Sequence, residues 1–176
     1  KALWKQKDTG IALLLALSVT SSTVEKGATS VNKFIPIADL YLHYILPELK
    51  SDTHSSLVIV ADCIKFCLTF RQMFTVEMTL ELLPLLVRWL AAPNFVVHSY
   101  AAMCIDRLLT VKEGAGYRMT ETHLLPGLAP LYQSLFAVLA MGNKEDKENH
   151  YVMRSKYTLL AAIVTSTNVM SQLSCA

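Results

Sequence analysis

Ile45-Leu46-Pro47-Glu48-Leu49, Leu82-Leu83-Pro84-Leu85-Leu86 and Leu124-Leu125-Pro126-Gly127-Leu128 repeat one pattern along this chain, their prolines 37 and then 42 residues apart. A period near ~40 residues is that of paired-helix HEAT units. Proline inside a helix costs ~3 kcal/mol through a lost hydrogen bond and a clash with the preceding turn, so its recurrence at one repeat position calls for a use. A kink in the first helix of each hairpin would let that helix follow the outer, convex side of a curved stack, leaving the second helices to line the concave side.

Second helices are expected between these segments, over about 55–71, 95–112 and 151–170, with 4–22 as the second helix of an earlier hairpin. Val97, Ala101, Cys104, Ile105 and Leu108 follow the 3.6-residue period of one apolar face, and Leu80, Leu83, Val87 and Leu90 do the same for the partner helix. Thr75 and Thr120 are placed to cap first helices, with Glu77 and Glu121 in the first turns, and Asn94 to cap a second helix. Polar or glycine-containing stretches at 21–32, 113–119 and 142–149 read as loops. The fold class is therefore all-α, a HEAT-repeat solenoid of antiparallel hairpins, with at least six helices of ten or more residues. Residues 1–22 supply the second helix of one repeat, and further repeats cover about 33–72, 75–112 and 120–170.

Composition agrees, since 53% hydrophobic against 17% charged residues excludes a disordered chain. No unbroken apolar run is longer than that of residues 11–17, which falls short of the ~18 residues of a membrane span. A net charge of +2 is too near balance for bulk attraction to nucleic acid. Cys63, Cys67, Cys104 and Cys175 lie in or near apolar stretches and lack a dense disulfide framework, which suits reduced thiols. Lys1-Ala2-Leu3-Trp4 is neither an initiator nor a signal sequence, and neither end resembles a polar cap. An internal segment of a longer array is expected, one that self-associates end to end when separated from it.

Catalytic chemistry finds little support. Cys63 and Cys67 share a helix face without the companion pair of a zinc site. His98, near Cys104 and Asp106, has no nucleophile elbow or HExxH helix around it and reads as structural. Gly114-Ala115-Gly116 lacks the strand and third glycine of a dinucleotide fingerprint, and the mixed charges of 144–148 read as a solvated loop. Basic residues on second helices are more suggestive. Lys65, Arg71, Arg107, Lys112, Arg154 and Lys156 would form a ridge on the concave side that steers an acidic partner. The plainer alternative is that these cations keep a helix face soluble and pair with Asp62 or Asp106.

Longer strings carry a family likeness: Trp4-Lys5 with Lys7-Asp8, His43 to Lys50, Ala61-Asp62-Cys63-Ile64-Lys65 with Phe70-Arg71, Val96 to Ala102 leading to Asp106-Arg107-Leu108, and Met153-Arg154-Ser155. Through these the chain resembles the importin-α re-exporters of the importin-β superfamily almost end to end, apart from 21–33 and 171–176. The resemblance implies a nuclear export receptor, present in nucleus and cytoplasm. It would wrap cargo-free importin-α together with RanGTP and release both after GTP hydrolysis. GTP belongs to Ran, so neither a cofactor nor enzymatic activity is implied for this chain. Protein-binding roles are expected at Lys65, Arg71, Arg107 and Arg154. A static HEAT scaffold organising another complex is the alternative, because periodicity does not separate the two.

Overall fold

In the computed structural model the described residues are 3–51, 56–114 and 116–124, with single helical positions at 129, 133 and 137. Helix α1 (Leu3–Ser18) leads into a β-hairpin of β1 (Val19–Thr23) and β2 (Gly27–Val31). A helical run follows, made of α2 (Ile37–Leu40), a π-turn (Tyr41–Ile45) and α3 (Leu46–Lys50). Then come α4 (Leu57–Phe70), a 3₁₀ turn (Arg71–Met73), α5 (Val76–Leu90) and α6 (Phe95–Leu109). The short strands β3 (Lys112–Glu113) and β4 (Gly116–Tyr117) precede α7 (Glu121–Leu124). Helix α4 packs against α1 on one side and α6 on the other, while α3 packs on both α4 and α5, and α5 on α6. First helices and second helices thus form two stacked layers, the architecture of a HEAT-repeat α-solenoid. Four helices of fourteen to sixteen residues are described, besides the composite run 37–50; Pro126 and the further helices expected beyond residue 124 lie outside the described residues.

Local chemistry sets the helix starts. The Thr75 hydroxyl accepts from Met78 N at 3.3 Å and the Asn94 carbonyl oxygen from Val96 N at 2.9 Å, as their cap residue types suggest. Ser56 performs the same role for α4 through Val58 N. Thr120 does otherwise: its hydroxyl hydrogen-bonds the side chains of Thr122 and His123. The two prolines are accommodated differently. Before Pro47 the ladder widens to a π-turn, with Leu46 N donating to Tyr41 O, which makes room for a ring that has no N–H to give. Pro84 sits inside α5.

Tyr41, Phe66, Phe70, Phe74, Leu49, Leu82, Leu86, Leu90 and Ile105 are among the fully buried core side chains. Each such burial contributes about 1.5–3 kcal/mol against the cost of ordering the chain. Tyr41 and Phe74 meet at 4.7 Å between ring centroids, as do Phe66 and Phe70.

Two expected loops are hairpins instead. Val19-Thr20-Ser21-Ser22-Thr23 is rich in residues that favour an extended backbone, so α1 stops at Ser18 rather than continuing to residue 22. Hydroxyl pairs cross the strands, Thr20 to Ser30 at 2.9 Å and Thr29 to Ser21 at 3.0 Å. Gly27, at φ +77°, closes the three-residue turn in a conformation open chiefly to glycine. The expected loop 113–119 likewise overlaps the β3–β4 pair, in which Lys112 stands opposite Tyr117.

Candidate protein-interaction face

Stacking buries most of α4 and of α6 and leaves one narrow stripe of each uncovered. On α4 the partly or fully exposed positions Val58, Asp62, Lys65 and Thr69 recur every three or four residues, and on α6 Val96, Tyr100, Met103, Arg107 and Thr110 do the same. Side by side, these stripes present Lys65, exposed, and Arg107, half-buried, among apolar and aromatic groups. Such a mixture of arginine, tyrosine, methionine and aliphatic side chains suits a protein partner better than a small molecule. The apolar members Val96, Tyr100 and Met103 follow the i, i+4, i+7 spacing of one helix face, which periodicity alone does not distinguish from a core face.

Arg71 departs from the expected ridge. It lies in the 3₁₀ turn beyond α4, only 3% exposed. Its Nη1 donates to Leu68 O and its Nη2 to Val24 O and Glu25 O, the last at 2.5 Å. Burial, and then the charge of Arg107, lower its pKa, while Cys104 and Asp106 act the other way; a guanidinium keeps its proton regardless. The side chain is thus committed to holding the tip of the β1–β2 hairpin. Lys112 departs as well: it is exposed on β3 rather than on a second helix. Arg154 and Lys156 lie outside the described residues.

Two further arginines fasten neighbouring repeats in a similar way. Arg88 of α5 donates to the carbonyls of Leu49, Lys50 and Ser51 at the C-terminal end of α3, where carbonyls lack helical partners, and Trp89 Nε1 reaches Leu49 O at 3.2 Å. Arg118, after β4, spans the carbonyls of Arg71, Gln72 and Phe74 and also meets Glu113 Oε2 at 3.2 Å. A local sequence pattern contains no sign of the carbonyl contacts that join distant elements, because donor and acceptor stand 37 to 47 residues apart.

Of the groups weighed for chemistry, three cysteines lie in the core and His98 near a helix join, while Cys175 and residues 144–148 lie outside the described residues. Cys63, Cys67 and Cys104 are buried, and burial pushes the Cys63 and Cys104 thiols up to about 12 and that of Cys67 upward as well. They are therefore protonated at neutral pH and poor nucleophiles. Among the described residues no three His, Cys, Asp or Glu side chains gather as metal ligands. His98 Nδ1 lies 3.3 Å from Ala92 O and its ring stands edge-on to Phe95. No helix of the described residues is long and apolar enough to cross a membrane.

One charged contact stands out at the α1–α4 seam. Burial first, then a hydrogen bond that protonated Asp62 donates to Asp8, and the Asp8 charge push the Asp62 carboxyl up to about 6, against the pull of Lys65. A carboxyl whose folded pKa exceeds its unfolded value binds its proton more tightly when folded. Its contribution is present below about pH 4 and is lost as pH rises through about 6. Asp62→Asn, whose amide donates without titrating, should raise stability at pH 7 by about 1 kcal/mol, an amount reduced for partial exposure. Thermal melts of both chains from pH 4 to 7 test this: the gap should open between pH 4 and 6, and a constant gap would refute the shared-proton contact.

Comparison with known proteins places this face in context. The Cse1 family model matches residues 1–105. The chain is 34% identical to exportin-2 of Danio rerio over 154 residues, 86% of this chain and 16% of that protein. It is 33% identical to exportin-2 of Xenopus laevis over 177 residues, 97% of this chain and 18% of the relative. The importin alpha re-exporter of Saccharomyces cerevisiae is 30% identical over 163 residues, 89% and 17%. The solved structure of the exportin Cse1 in its cargo-free, cytoplasmic state superimposes with a TM-score of 0.73 at 28% identity, over 90% of this chain and 16% of that one. The chain thus spans about a sixth of the length of these proteins.

Proposed function

The chain belongs to the Cse1 family, and on that premise we propose that it is a solenoid segment of a nuclear transport receptor that carries importin-α out of the nucleus together with RanGTP. The complete receptor would then occupy both nucleus and cytoplasm. The family match over residues 1–105 carries this reading, and the importin alpha re-exporter of yeast supports the cargo. Within the segment, Lys65 and Arg107, with Arg154 further along, steer and hold an acidic partner surface, while the apolar neighbours on α4 and α6 supply contact area. Arg71 contributes by fixing the hairpin instead of touching a partner.

The test uses the complete receptor, importin-α, and Ran held in its GTP form. Cooperative ternary assembly is expected, whereas binding indifferent to Ran's nucleotide would favour a static scaffold. Lys65→Glu, Arg107→Glu and Arg154→Glu combined should slow association about three- to tenfold at low salt, with the difference shrinking as salt rises. Reversing the charges of 144–148 should change little, because a loop must lose entropy to make the same contacts. Unaltered rates in the folded triple variant would leave these cations as a solvated face.

A further inference from the structure

A hydroxyl followed three residues later by a carboxylate occurs at two places in the chain, Ser22 with Glu25 and Thr110 with Glu113. Acidophilic protein kinases read that spacing, because a basic group in their substrate cleft pairs with the carboxylate and so places the hydroxyl. The structure separates the two places. Thr110 is half-buried at the end of α6, where its hydroxyl donates to Asp106 O at 3.0 Å and Arg107 O at 3.2 Å, and Glu113 is held by Arg118. In the β1–β2 hairpin, Thr20 donates to Ser30, Thr29 to Ser21, and the Thr23 hydroxyl accepts from Lys26 N at 3.1 Å. The Ser22 hydroxyl is exposed and makes no hydrogen bond among the described residues. Glu25 is exposed as well, and among the described residues no cation pairs with its carboxylate.

Backbone geometry favours the same residue. Strand β2 packs on α4 and the 3₁₀ turn, which leaves β1 as the outer strand, exposed from Thr20 to Thr23. A kinase cleft takes its acceptor segment extended, and β1 already has that shape up to the turn. Glu25 comes into line only when the turn lifts from Arg71, which holds the Val24 and Glu25 carbonyls. We propose that Ser22 is a phosphorylation site for an acidophilic serine/threonine kinase, with access set by the release of the hairpin turn from Arg71. Ser22 Oγ attacks the γ-phosphorus of ATP, the new O–P bond forms as the bond to ADP breaks, and the hydroxyl proton passes to the kinase's catalytic base. The phosphate carries about −1.5 to −2 charge at neutral pH. Arg107, whose charge already acts on Arg71, stands at this end of the interaction face, so the phosphate offsets the positive potential there. That effect rests on the proposed role of the cations, and the acceptor assignment does not.

The test uses the complete receptor, MgATP and a purified kinase whose preference for glutamate three residues after the acceptor has been established on peptides. Mass spectrometry should find phosphate on Ser22 and about tenfold less on Thr110, whose hydroxyl is freed only by local unfolding. Glu25→Gln should slow labelling of Ser22 about tenfold through the loss of one charge-assisted contact, and Arg71→Lys should speed it about three- to tenfold by opening the hairpin more often. An unmodified Ser22, equal labelling of Thr110, or a Ser22 rate indifferent to either substitution would overturn the assignment. The phosphorylated receptor should associate with importin-α and Ran in its GTP form about two- to fivefold more slowly at low salt than an identically treated Ser22→Ala receptor. Equal rates would overturn the effect on the face, whereas failure of both receptors to assemble would refute the proposed cargo and leave the phosphate map to decide Ser22.

Discussion

Arg71→Met should lower the stability of the chain by ~3 kcal/mol, which for a protein of this size is a fall in melting temperature of about 6–12 °C. The methionine keeps most of the buried volume, so the loss isolates the guanidinium. That group joins three carbonyls on two elements, Leu68 at the end of α4 and Val24 and Glu25 in the hairpin turn. A hydrogen bond from a charged donor is worth about 1.5–3 kcal/mol, and removing one partner leaves the others in a place water reaches poorly. Arg71→Lys should recover only part of the loss, because a single ammonium does not span the fork. The slow-exchanging amides of β1 and β2 should lose protection together. A fall below 1 kcal/mol, with the hairpin amides unchanged, would return Arg71 to the surface ridge in which its sequence position first put it.

Gly27→Ala should cost about 3 kcal/mol, measured by the same melts. Its φ of +77° is strained for any residue with a Cβ. A methyl there would also run into Thr69 O and Arg71 Nη1. Gly114 provides the control: its φ is +61° but, among the described residues, nothing lies within 4 Å of the added carbon. Gly114→Ala should therefore cost only the backbone part, about 1 kcal/mol. Equal losses at the two glycines would mean that the hairpin does not press on the end of α4. Combining Gly27→Ala with Arg71→Met should cost less than the sum of the single changes, since both break one contact.

Burial separates cations that the sequence presents alike. Lys65 and Arg71 looked alike in sequence, two cations near the end of one apolar helix. A turn forms after Phe70, the hairpin folds over it, and Arg71 becomes the buried clamp while Lys65 keeps its place in water. The hairpin was legible in part, through β-branched residues on either side of a glycine, but serine-rich strands this short also resemble a loop. Their pairing gains its permanence from Arg71, 46 residues from Glu25, beyond any local window.

Sequence alone determined the class of fold and the family. Proline recurrence near ~40 residues and apolar faces at 3.6-residue spacing are consequences of helices buried on two sides, and caps such as Thr75 and Asn94 act on amides two or three residues away. All of these are short-range physics, and so they leave short-range signatures. Tertiary structure decided which cations stay exposed to solvent, where the π-turn relieves Pro47, and how Arg71, Arg88 and Arg118 fasten one repeat to the next. Each of those outcomes depends on carbonyls or neighbours brought from tens of residues away, and burial, which sets the strength of a hydrogen bond or a charge, exists only once the layers have stacked.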